Sequence, residues 1–151
     1  MIITGFESML AGMVILTSFI PMLMDSGGNS GSQTSVMVIR NMALGEVEPR
    51  DVFKVLWKEL RVALIAGAVL AVVNFVRLLI VPGTTALVAL TVSVSLWLTV
   101  VIAMCVGCLL PMGAKKIGLD PAIMASPMIT TIVDACSLLI YFSMAKLLLG
   151  L

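Results

Sequence analysis

Residues 127–149 read PMITTIVDACSLLIYFSMAKLLL, a long apolar stretch that contains one carboxylate. Its length and low charge predict a membrane-spanning helix, because a helix needs about 20 mostly apolar residues to cross a bilayer. Asp134 lies near the centre, where a carboxylate costs roughly 2.5–3.5 kcal/mol on insertion scales. A carboxylate in this position needs a partner charge, water or a bound cation. Asp134 is therefore the first candidate for a functional residue.

The composition of the whole chain is that of an integral membrane protein. Of its 151 residues, 61% are hydrophobic and 11% are charged, whereas a soluble domain carries about a quarter charged residues. The net charge of +1 gives no reason to expect nucleic-acid binding, and the absence of histidine removes the commonest general base. We therefore expect an all-α membrane protein that contacts lipid and is not an enzyme. Cys105 and Cys108 have C-x-x-C spacing but no second pair, which predicts packing residues.

Four apolar segments predict about four transmembrane helices in one channel domain that covers residues 1–151. The first segment cannot be one straight span, because a helix from residue 6 to residue 44 would be about 58 Å long. The hydrocarbon core is only roughly 30 Å thick. The segment must therefore break, protrude from the membrane, or do both, and we expect it to continue irregularly through its glycine-rich middle. The predicted spans are about 6–24 continuing irregularly to 44, then 62–81, 86–110 and 122–149.

Lysine and arginine residues concentrate in two loops, 45–61 and 111–121. The positive-inside rule makes both loops cytoplasmic, which predicts a multi-pass protein of the inner (plasma) membrane with both ends of this chain outside. We therefore expect at least one earlier helix before the chain. Within the first loop, residues 50–61 place apolar side chains and Glu59 at helical spacing, which predicts an interfacial helix. Glu59 belongs to a run of mixed charge, and a solvated face is expected there.

A polar stripe runs along the last predicted span at steps of three and four residues, which places its members on one helix face. In a membrane such a stripe faces other helices or a water-filled path. The alternative is that its hydroxyls bond to carbonyls of their own helix and that Asp134 pairs with Arg77 or Lys146. The stripe consists of Ser126, Thr130, Asp134, Ser137 and Tyr141.

Two further motifs have both a structural and a functional interpretation. The segment from Gly27 to Gly31, followed by Gln33, predicts either a packing kink or turn, or a pore-lining gate whose carbonyls and Asn29 amide meet the permeant species. Asp120 precedes a proline, which predicts an N-cap. A cation site at the cytoplasmic mouth is compatible with that role.

The charge of the candidate site indicates its ligand. One Asp134 per chain cannot neutralise a divalent cation, but two copies related by a two-fold axis can, and cyclic dimers are the commonest assembly. Oxygen ligands without thiolate or imidazole suit hard cations such as Mg²⁺, Ca²⁺ or Mn²⁺. Mg²⁺ usually keeps several waters, so a site with few charged ligands favours hydrated Mg²⁺.

The chain resembles the transmembrane domain of the MgtE family of magnesium channels. The resemblance rests on four stretches: PMLMDSGGNSGSQ at 21–33, IRNMALGE at 39–46, DPA at 120–122 and SPMITTIVD at 126–134. It implies a homodimer with five helices per subunit and a pore lined by the first and last spans of this chain. It also implies that Asp134 is the acidic residue of the Mg²⁺ site, that helix carbonyls near Ser126 and Thr130 contribute to binding the hydrated ion, and that Asp120 lies at the cytoplasmic mouth. The implied pore-lining residues are Asn29, Gly27, Gly28, Gln33, Thr131 and Ser137.

The resemblance covers nearly the whole chain but leaves parts of the family pattern unmatched. We expect this chain to lack the family's N-terminal cytoplasmic sensing domains, which include paired CBS domains, and its first membrane helix. The expected function is passive, selective transport of Mg²⁺, the permeant and bound ion, through a pore at the dimer axis. The alternatives are a proton-coupled divalent cation transporter and a non-conducting membrane scaffold.

Overall fold

The computed structural model describes residues 14–150, except for the side chains of residues 124–126. This part of the chain is helical and contains no β-strand, which confirms the expected all-α fold. A 3-10 turn at Pro49–Asp51 precedes the third helix. The helices are α1 (Val14–Thr17), α2 (Ile20–Ala43), α3 (Val52–Ile80), α4 (Ala86–Lys116) and α5 (Pro121–Leu149).

Three helical segments of the described residues are long and apolar enough to cross a membrane. They are Pro49–Ile80, Ala86–Lys116 and Pro127–Leu149, with mean hydropathies of 2.4, 2.3 and 1.8. The chain is thus an all-α integral membrane protein. Of the predicted first span, residues 6–13 lie outside the described part, and the remainder falls in α1 and the start of α2.

Helix α4 is the centre of the bundle, since α2, α3 and α5 all pack against it. Helix α2 also packs against α5, whereas α3 is attached mainly through α4. Small and β-branched residues dominate the buried surface of α4, which allows three neighbours to approach its backbone. Buried positions of α4 include Ala89, Val92, Ser95, Thr99, Ala103 and Gly107.

The glycine-rich segment 27–31 is helical, so the irregular backbone predicted there is wrong. Helical backbone keeps its polar groups bonded within the segment, which a membrane favours. The glycines serve close packing instead: a Cβ at Gly31 would lie 3.0 Å from the Ala103 carbonyl oxygen, and one at Gly107 would collide with the Gly31 carbonyl oxygen. The chain departs from regular helix at residues 18–19, between α1 and α2.

Two other predicted boundaries are also wrong. The predicted interfacial helix at 50–61 is not separate, because α3 runs without a break from Val52 to Ile80 and includes most of it. Helix α4 does not end before Pro111 but continues to Lys116. Proline removes one backbone hydrogen bond, which surrounding helices can compensate in a membrane protein. Helix α5 begins one residue before the predicted 122–149 span and ends with it.

Polar contacts hold α3 in place against α4. The Asn74 amide Nδ2 donates to the Ser93 hydroxyl at 3.2 Å, and both side chains are buried. The Trp97 indole Nε1 donates to the Leu64 carbonyl oxygen, also at 3.2 Å. Because lipid offers no competing partners, such contacts orient one membrane helix on another.

Candidate cation site on helix α5

Asp134 lies midway along α5 and is partly exposed. No hydrogen bond or ion pair joins its carboxylate to another residue in the described part of the chain. Arg77, one of its two possible cationic partners, instead directs its guanidinium at the Met22 sulfur, 3.8 Å away. Lys146, the other, lies 12 residues further along the same helix, or about 18 Å at 1.5 Å per residue. The pairing alternative is therefore unsupported.

Gly27 and Gly28 bring the backbone of α2 close to α5 beside Asp134. A Cβ at Gly27 would lie 2.8 Å from Cγ1 of Val133, and one at Gly28 would lie 3.6 Å from Cγ2 of Thr130. Val133 is the neighbour of Asp134 in sequence, and Thr130 lies about one helical turn before it. Asp134 thus lies at the edge of the α2–α5 contact.

Hydroxyl groups near Asp134 donate to carbonyls of their own helix, which is what the alternative interpretation of the polar stripe expects. Thr130 and Thr131 both donate to the Pro127 carbonyl oxygen, at 3.1 and 2.9 Å. A hydroxyl that donates can still accept, so these two accessible side chains can accept from water around a cation. The side chain of Ser126 lies outside the described residues.

The polar stripe does not stay accessible along the whole of α5. Ser137 is buried and donates to the Val133 carbonyl oxygen at 2.6 Å. Tyr141 is also buried, and its hydroxyl donates to the Leu16 carbonyl oxygen at 2.9 Å, which ties α5 to α1. The accessible polar surface of the described stripe is therefore limited to Thr130 and Asp134.

Asp120 is the N-cap of α5, as predicted. Its Oδ1 accepts from the backbone N–H of Ala122 at 2.9 Å, and Pro121 occupies the first helical turn. Asp120 is exposed, and together with Lys115 it lines a cavity of about 500 Å³ at this end of the bundle. The 14 residues that separate it from Asp134 correspond to about 21 Å of helix. The two carboxylates therefore cannot share one ion.

Asn29 and Gln33 lie on a different flank of α2 from the α5 contact. Both line a groove between α2 and α3, together with Glu59. The structure thus divides the residues expected to line one pore: Gly27 and Gly28 meet α5, whereas the two amides face the groove.

Glu59 is the residue that sequence reasoning missed. It was expected on a solvated face, but its side chain is 7% exposed. The available signal was its helical spacing with apolar residues of the same stretch, Val52, Val55, Leu56 and Leu60. That spacing places Glu59 on the buried face of α3.

These features define an all-α integral membrane protein with an accessible carboxylate inside a membrane-spanning helix, a setting typical of ion pathways. Residues 20–144 match the sequence profile of the MgtE family, described as divalent cation transporters. The chain belongs to the MgtE family, and the resemblance inferred from its motifs is confirmed.

Three relatives carry the name magnesium transporter MgtE. The protein from Thermus thermophilus is 38% identical over 148 residues, that from Bacillus subtilis 37% over 144, and that from Enterococcus faecalis 28% over 149. The alignments cover 98%, 95% and 97% of this chain and 32% of each relative. The chain therefore spans about a third of the length of the curated relatives it matches.

Proposed function

We propose that this chain forms part of a homodimeric channel that carries Mg²⁺ passively and selectively across the membrane. In this proposal the Asp134 carboxylates of two subunits bind the hydrated ion at the dimer axis. The observation that carries the proposal is the accessible Asp134 carboxylate within a membrane-spanning helix, without an ion pair or hydrogen bond to any described residue. The names of the relatives support Mg²⁺ as the ion.

The need for a second subunit follows from charge and ligand number. Among the described residues there is no group of three or more histidine, cysteine, aspartate or glutamate side chains that could hold a metal ion. A single carboxylate leaves a divalent cation half neutralised. A two-fold axis beside α5 supplies the second carboxylate, and it is the commonest symmetry of soluble oligomers.

The ligand chemistry favours an ion that keeps its water. Mg²⁺ dehydrates reluctantly and commonly uses one or two carboxylates with several waters. In this proposal the hydroxyls of Thr130 and Thr131, and helix carbonyls near Ser126, accept from those waters. Pores select ions through such oxygen arrays around the permeant species.

The proposed orientation follows the distribution of basic residues. Segments 45–61 and 111–121, which include the start of α3 and the end of α4, face the cytoplasm of a cell whose inner membrane holds the protein. Asp120 then lies at the cytoplasmic mouth, where its charge attracts cations before they reach Asp134. Because it also caps α5, its charge and its structural role must be tested separately.

The proposal is tested by Mg²⁺ uptake into liposomes that contain the intact protein. We expect the Asp134→Asn variant, which keeps the shape of the side chain and removes its charge, to lose at least tenfold in uptake rate. Glu48→Gln is the matched control, since Glu48 is an exposed carboxylate paired with Arg50 far from α5 in sequence. Uptake by Asp134→Asn equal to that of the control would contradict the proposal. Uptake driven by an imposed pH gradient would indicate proton coupling instead.

A further inference from the structure

The N-terminal end of α3 carries a cluster of basic side chains on its exposed surface. Lys54, Lys58 and Arg61 follow one another at steps of four and three residues, which places them on one face of the helix. All three are exposed, and none forms an ion pair with a carboxylate of the described residues. These three residues, called the basic cluster below, therefore present unpaired positive charge outside the bundle.

The acidic side chains nearby do not neutralise the basic cluster. Glu46, Asp51 and Glu59 line a cavity of about 330 Å³ beside it, but none of them forms an ion pair with it. The Asp51 carboxylate instead accepts from the backbone N–H of Glu48 at 3.0 Å. Glu59 is only 7% exposed. The accessible charge on this face of α3 is therefore positive.

The length of α3 places the basic cluster at the level of the lipid headgroups. The helix has 29 residues, which is about 44 Å, whereas the hydrocarbon core is roughly 30 Å thick. No charged residue lies between Arg61 and Arg77, so the excess length lies at the N-terminal end. Trp57 is 61% exposed there, and the Arg61 guanidinium carbon lies 6.0 Å from the centre of its ring. Exposed tryptophan is typical of the membrane–water interface.

An apolar groove between α3 and α4 lies on the same face of α3, deeper in the membrane. Its cavity has a volume of about 310 Å³. Ala68 and Val72 follow Arg61 by seven and 11 residues, which is helical spacing and a depth of about 10–17 Å. The polar atoms of Ser93 and Trp97 in the lining are already engaged by α3, so the groove suits a hydrocarbon chain. The principal apolar lining residues are Ala68, Ala71, Val72, Leu90, Val94 and Trp97.

We propose that this face of α3 binds one anionic phospholipid, with its headgroup phosphate on the basic cluster and an acyl chain in the apolar groove. An anionic headgroup is complementary to three unpaired cations, and basic clusters next to a membrane helix attract such lipids. An acyl chain that begins at the interface reaches about 15 Å, half of the hydrocarbon core, which matches the depth of the groove. Only the choice of leaflet rests on the orientation proposed above, and the site does not depend on Asp134.

The headgroup contact is tested by native mass spectrometry of the intact protein in detergent. The protein is titrated with phosphatidylglycerol, which is anionic, or with phosphatidylcholine of the same acyl chains, which carries no net charge. We expect phosphatidylglycerol to bind about tenfold more tightly. The triple variant Lys54→Gln, Lys58→Gln and Arg61→Gln should lose this preference while its circular dichroism spectrum stays unchanged, because all three side chains are exposed.

A matched control separates the basic cluster from the overall charge of the protein. It replaces three exposed cations outside the cluster and should keep the preference for phosphatidylglycerol. Equal affinity of the unaltered protein for the two lipids would overturn the proposal, and would favour an acidic protein surface as the partner of the cluster. An equal loss of preference in the two triple variants would also overturn it. The control substitutions are Arg77→Gln, Lys116→Gln and Lys146→Gln.

A second pair of variants tests the acyl-chain contact separately. Ala68→Leu combined with Ala71→Leu fills the groove and should weaken phosphatidylglycerol binding about threefold or more, because each buried methylene group contributes to lipid binding. The preference over phosphatidylcholine should remain. Val69→Leu combined with Val73→Leu alters exposed residues that do not line the groove and should leave the affinity unchanged. Equal affinities of the two double variants would overturn the placement of the acyl chain.

Discussion

Replacing Gly107 with alanine tests the closest helix contact of the bundle. A Cβ at this position would collide with the Gly31 carbonyl oxygen and lie 3.0 Å from the carbonyl carbon of the same residue. Overpacking costs about 1–3 kcal/mol, and the upper part of that range applies because backbone atoms cannot rotate away. The better helix propensity of alanine offsets about 1 kcal/mol of this destabilisation. The net destabilisation should therefore be about 1–2 kcal/mol.

Gly113→Ala is the matched control on the same helix, since nothing lies within 4 Å of the Cβ it would add. This variant should gain up to about 1 kcal/mol from helix propensity alone. Both variants can be compared by equilibrium unfolding in mixed micelles, monitored by circular dichroism. If Gly107→Ala proved as stable as Gly113→Ala, the close approach of α2 and α4 through their glycines would be refuted.

Two other substitutions test the capping and the packing of α5. Tyr141→Phe removes the bond to the Leu16 carbonyl oxygen and should cost about 1 kcal/mol in unfolding free energy; an unchanged value would contradict that bond. Asp120→Ala should lose about 1 kcal/mol of helix stability, whereas Asp120→Asn should keep the cap. In liposomes both Asp120 variants should slow Mg²⁺ uptake to a similar extent, because both remove the charge; normal uptake by Asp120→Asn would argue for a purely structural role.

Local signals predicted some features of the fold well. The start of α5 was predictable because an aspartate followed by a proline satisfies the first turn of a helix through neighbouring residues. The glycine segment was not predictable, because glycine serves both irregular backbone and close helix contact. Only the position of α4 against Gly31 decides between the two. The continuation of α4 through Pro111 likewise depends on its neighbours rather than on local sequence.

In the candidate sites, too, some features could be predicted from local sequence, whereas others depend on how the helices pack together. Asp134 could be identified from one helix, since a carboxylate within an apolar span is costly wherever its neighbours lie. The burial of Ser137 and Tyr141 depends on how α5 is rotated against the bundle. Glu59 was missed because a run of charges indicates solvent exposure, although its spacing followed the apolar face of α3.

In the proposed channel, two Asp134 carboxylates act together on one Mg²⁺ ion. Co-expressing equal amounts of the intact protein and its Asp134→Asn variant, and measuring Mg²⁺ uptake by the mixed dimers, tests whether both carboxylates are needed. Random pairing leaves about a quarter of two-fold dimers with both carboxylates. If both are required, uptake should fall to about a quarter of the unmixed rate. A fall to only about half would mean that each Asp134 acts alone, and would contradict the paired site.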